Sequence, residues 1–192
     1  EQHIRRQRAT SNICTAQALL ANISGFYAIY HGPQGLIEIA EEVHRKASVL
    51  FKFIKKQGYQ ILTKEFFDTI AFVGKEKDIL EIRKRAESKK INFCYKNKNI
   101  CSISLDETST MDNLTEIFLA ISGSDRVEVK EVEESKIKES IKRKDKFLTQ
   151  EVFNKYTCEN SLVRYMKSLE RKDISLVDSM IALGSCTMKL NA

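Results

Sequence analysis

The sequence predicts an α/β chain whose centre is a compact α+β unit, a small sheet with helices on one side. Three observations predict it. Apolar residues recur at steps of three and four over residues 13–54 and again over 109–122. Between those stretches the period drops in short β-branched and aromatic runs. The order helix, strand, helix, strand, strand, helix then closes such a unit.

The first helix carries Ile13, Ala16, Leu20, Ile23, Tyr27 and Tyr30 on one stripe. Ser11 or Asn12 is placed to cap it. Gly32-Pro33 breaks it, and Pro33 suits the first turn of a following helix. There Leu36, Ala40, Val43, Ala47, Leu50 and Ile54 keep the rhythm, and Gly58 is the natural stop. "EFFDTIAFVG" (65–74) reads as a strand and "KDILEIRKRAESKK" (77–90) as a helix. "INFCY" (91–95) and "ICSISL" (100–105) read as a hairpin around "KNKN". "STMDNLTEIFLAIS" (109–122) is a helix in which Ser109 and Asp112 fit a capping box, with Leu114, Ile117, Phe118 and Ile121 as its buried face. Residues 123–150 mix both charge signs and read as a solvated, partly helical linker. "ENSLVRYMKSLERKD" (159–173) returns to helix, with Leu162, Met166 and Leu169 on one face.

Composition narrows the function classes. The 192 residues are 42% hydrophobic and 30% charged, with a net charge of +6, as in a globular protein. Lys and Arg are not interleaved with aromatics as in a stacking platform, so no nucleic-acid partner is expected. No apolar run nears the roughly 20 residues of a membrane span, and no membrane partner is expected. The chain lacks an initial Met, and we expect it to be cut from a longer polypeptide at both ends. Five cysteines and three histidines show no metal-ligand spacing. Cys94 and Cys101 flank a turn, where they are placed to face each other or to fill a half-buried sheet as two reduced thiols.

Two polar stretches stand out, "ATSNICTAQALLANI" (9–23) and "GSCTMKLNA" (184–192). Cys14 falls in the first turn of a helix, where the dipole favours a thiolate; the residues themselves favour a plain helix start. The N–H groups of that turn, with the Thr10, Ser11 and Thr15 hydroxyls, suit an anion. Lys189 reads better as a partner for an anionic group than as a nucleophile. Asp106 and Glu107 read as the exit from the hairpin into a cap, and His31 and His44 as structural.

At this point a resemblance enters. "EQHIRRQRATSNICTAQALLANISGFYAIYHGPQGL" (1–36) closely resembles the P-protein family of the glycine cleavage system, the pyridoxal-phosphate-dependent glycine decarboxylases. "FFDT" (66–69), "INF" (91–93), "ISLDET" (103–108), "LVRYMKSLERKDISLV" (162–177) and "SMIALGSCTMKLN" (179–191) resemble it in the same order. The two ends match most specifically, residues 75–160 less so. Departures occur at Arg8, where the family usually has Lys, at Asp178 for His, at Ala182 for Pro, and over "TCENSLVRYM" (157–166).

The resemblance implies a fragment of a pyridoxal-phosphate-dependent transferase fold of the aspartate aminotransferase type. Residues 1–32 would be the end of the first-half core with its connecting helix, and 33–122 the small domain of that half. Residues 123–150 would be the charged linker, and 151–192 the start of the second, cofactor-binding half. It implies decarboxylation of glycine with transfer of the aminomethyl group to the lipoyl group of H-protein, in a homodimer or heterotetramer. It also implies that a lysine outside this segment binds the cofactor covalently, so the segment contains no catalytic residue. Cofactor-binding roles are expected for Thr10, Ser11, Asn12 and Thr15, and for Cys186, Thr187 and Lys189. The location would be the mitochondrial matrix in a eukaryote and the cytoplasm in a bacterium. Two alternatives stand beside this reading: a non-catalytic basic α/β binding module, and a decayed, inactive copy of the enzyme.

Overall fold

The computed structural model describes residues 17–63, 65–127, 137, 139 and 141–172. They fall into two units, one of residues 35–145 and one formed by residues 1–34 with 146–192. Helix α1 (Gln17–Lys56) passes from one to the other and is broken at Gly32. Gly32 takes φ 61°, ψ −179°, a conformation open to a residue without a Cβ. Pro33 follows as the start of the next helical run, where its missing N–H costs no hydrogen bond.

The 35–145 unit holds a four-stranded antiparallel sheet of β1 (Gln60–Ile61), β2 (Thr69–Val73), β3 (Cys94–Asn97) and β4 (Ile100–Ser104) in the order β1-β2-β4-β3. Helices α2 (Glu76–Ser88) and α3 (Met111–Ser122) complete it. Register decides which face is buried. Ile70 pairs with Ile103 and Phe72 with Cys101, so these four share a face. They meet Ala47, Leu50 and Ile54 of α1, Ile79 and Ile82 of α2, and Leu114, Phe118 and Ile121 of α3 in one core. Phe53 stacks on Phe118 with centroids 4.0 Å apart. The opposite face is lined by Thr69, Ala71, Ser102 and Ser104, and the Thr69 and Ser104 hydroxyls share a 2.8 Å hydrogen bond.

Polar contacts tie the helices down. The buried Lys46 ammonium donates to the Ser109 carbonyl at 2.6 Å and pairs with Glu42 at 3.3 Å, joining α1 to the turn before α3. Arg85 Nε donates to the Ala120 carbonyl at 2.7 Å, placing a cation at the C-terminal end of α3. That helix stops at Gly123, in the left-handed region (φ 69°), whose N–H returns to the Leu119 carbonyl.

Several boundaries differ from the sequence reading. The first strand starts at Thr69, because Phe66 and Phe67 pack on His44 and Phe51 instead of pairing. The two-residue β1 was not anticipated. Strand β3 starts at Cys94, not Ile91, because Ile91 N–H still bonds the Ala86 carbonyl of α2 after Lys90 turns through φ 60°. Among the described residues it is an edge strand of the sheet, and it carries a register shift between Tyr95 and Asn97, with Lys96 exposed. The cap of α3 is Thr110 with Asn113, one residue beyond the expected Ser109–Asp112 pair.

In the other unit, the α1 segment before Gly32 is accompanied by α4 (Val152–Lys155) and α5 (Glu159–Glu170). Phe26 meets Tyr165 edge to face at 6.4 Å, and Tyr165 stacks on Tyr156 at 4.2 Å. A Cβ on Gly32 would sit 2.8 Å from the Phe153 carbonyl oxygen, so the break also admits α4. Among the described residues no helix is long and apolar enough to cross a membrane.

Candidate functional site

The seven expected cofactor-binding residues, Thr10, Ser11, Asn12, Thr15, Cys186, Thr187 and Lys189, lie outside the described residues, as do Cys14 and the Ser11 or Asn12 cap. Four other polar sites that the sequence singles out are described.

The Asp106 carboxylate is the hub of the turn entering α3. Its Oδ1 accepts from the Thr108 hydroxyl at 2.7 Å, the Ser109 hydroxyl at 3.0 Å and both backbone N–H groups. These bonds, the Thr108 hydroxyl first, hold its carboxyl below the usual carboxylate range despite its exposure. This is the exit-and-cap role expected of "LDET", with Ser109 drawn to Asp106 and the cap passed on to Thr110.

Both histidines are engaged by structure. His44 is buried and its Nδ1 lies 2.8 Å from the Phe67 carbonyl. A carbonyl only accepts, so the proton sits on Nδ1. Its Nε2 and the Tyr95 hydroxyl are the buried side-chain polar atoms without a partner among the described residues. His31 packs on the Tyr27 ring at 4.4 Å.

Cys94 and Cys101 do not face each other. Cys94 is paired with Ser102, and Cys101 with Tyr95, so adjacent pairs send the two thiols to opposite faces. Cys94 is exposed, and Cys101 is in the core. Burial, with Cys94 near it, pushes the Cys101 thiol up to about 12.

Cys158, which the sequence reading names only within the 157–166 departure, is held below its ordinary thiol value. Cys158 caps α5 (φ −128°, ψ 153°), exposed to solvent. Its Sγ lies 3.1 Å from the Ser161 hydroxyl, which itself donates to the Cys158 carbonyl at 2.8 Å. The Ser161 hydrogen bonds, with the Arg164 guanidinium adding to them, lower this thiol below its ordinary value. A thiol at the start of a helix is the signal that drew attention to Cys14; the same signal was present in "CENS". To hold a thiolate, the Ser161 hydroxyl would turn its proton from the Cys158 carbonyl to the sulfur, with the Arg164 guanidinium as the nearby positive charge.

Comparison with known proteins places the chain. The sequence pattern of the family "Glycine cleavage system P-protein" matches residues 1–121. Over 197 residues the chain is 50% identical to the mitochondrial glycine dehydrogenase (decarboxylating) of Mus musculus, covering 100% of this chain and 19% of that protein. Over 203 residues it is 47% identical to the mitochondrial enzyme of that name from Dictyostelium discoideum, covering 100% of this chain and 20% of that protein. The glycine dehydrogenase (decarboxylating) of a Nostoc species is 46% identical over 201 residues, again 100% of this chain and 20% of its own. The chain thus spans about a fifth of the length of the curated relatives it matches. A match to the family pattern over well over half of the residues leaves one assignment: the chain belongs to the glycine cleavage system P-protein family.

Proposed function

We propose that this chain is an internal segment of a longer P-protein that decarboxylates glycine on pyridoxal phosphate and passes the aminomethyl group to lipoylated H-protein. The observation that carries the reading is the end-to-end identity of 46–50% to proteins named glycine dehydrogenase (decarboxylating). The small antiparallel sheet and its helices would form the small domain of an aspartate aminotransferase-type half. Residues 123–150 would be the charged linker, and residues 151–192 would open the second half.

The donor set at the two ends suits the cofactor. The hydroxyls of Thr10, Ser11, Thr15 and Thr187, the Asn12 amide and the Lys189 ammonium are hydrogen-bond donors for a phosphate and a carboxylate. The Cys186 thiol would line the same pocket. Bound there, pyridoxal phosphate supplies an electron sink for the carbanion left when carbon dioxide departs. The role of this chain is to bind and orient. The lysine that anchors the cofactor would lie outside residues 1–192, which leaves the segment inactive alone. The intact protein would act as a homodimer or heterotetramer, in the mitochondrial matrix of a eukaryote or the cytoplasm of a bacterium.

The test is cofactor absorbance and glycine-dependent carbon dioxide exchange, measured on the longer protein and on residues 1–192. Exchange by the longer protein alone is the expected result. Exchange by the short chain would overturn the placing of the lysine. No exchange by the longer protein would favour a decayed enzyme, in keeping with the departures at Arg8, Asp178 and Ala182.

A further inference from the structure

We draw no further inference here: the strongest candidate, the patch of exposed lysines on α2, its caps and the adjoining edge strand β3 (Lys75, Lys77, Lys84, Lys89 and Lys96), carries nothing, because nothing in the structure shows what covers it.

Discussion

Two helical stripes written in the same three-and-four rhythm meet different fates on either side of Gly32. Val43, Ala47, Leu50 and Ile54 are buried against a sheet and two further helices. Leu20, Ile23 and Tyr30 keep the same spacing and face outward. Periodicity therefore says which side chains share a face and leaves open what covers it. The cover is supplied by long-range partners, which one unit contains among its described residues and the other does not.

Five experiments break or sharpen that comparison. The largest contrast is between thiols. Alkylation of the chain at pH 7.5 should modify Cys158 at least a hundredfold faster than Cys101, since a lowered and a raised thiol differ in thiolate fraction by orders of magnitude. Peptide mass spectrometry reads the ratio, and equal rates would mean that the core around Cys101 opens readily. Next is Leu50→Ala, which empties a fully buried site and should cost about 2–5 kcal/mol in urea unfolding of the 35–145 unit. Gly32→Ala forces a Cβ into an extended, positive-φ conformation that only glycine adopts readily, at about 1–3 kcal/mol, and against the Phe153 carbonyl. Faster amide exchange at Phe153 and Asn154 should report it.

Asp106→Ala should cost about 1 kcal/mol, the scale of a lost cap. Its carboxyl is depressed in the folded chain, so its contribution is present above the unfolded value near pH ~4 and is lost as pH falls through the folded one. The gap between wild type and variant should therefore close in acid melts. Smallest of all, Leu20→Ala in the 192-residue chain should change stability by no more than about 0.5 kcal/mol, as exposed positions do. A loss of several kcal/mol would mean that the stripe is already covered within this chain.

The α1 run after Gly32, α2, α3 and β4 were legible because each buries a periodic face, α5 was legible by its period alone, and the four-residue α4 was not anticipated. The other edges of the sheet were less legible, for reasons visible in particular residues. Phe66 and Phe67 have the aromatic character of a strand, yet their rings are taken by His44 and Phe51, a tertiary preference that strand propensity does not carry. Ile91 looks like the start of a hairpin, but its N–H closes the end of α2. Ser109 has the right chemistry to cap α3 and is held by Asp106 instead. The cofactor came from resemblance; the residues themselves offered only an anion at the turn of Thr10, Ser11 and Thr15 and at Lys189. Hydroxyls and amides gathered around an anion have no period, and their grouping depends on chain segments far apart in sequence.

The irregular edge strand β3 has a consequence for the protein at high concentration. A straight, apolar strand with open N–H and C=O groups is a template on which another chain can be laid down, the first step toward a fibril. Here the shifted register between Tyr95 and Asn97 spoils the template's spacing, and the exposed Lys96 sets a charge on the strand. At the opposite margin β1 offers two residues, too few to seed growth. Neither margin of this sheet therefore offers a long, regular strand for another chain to extend.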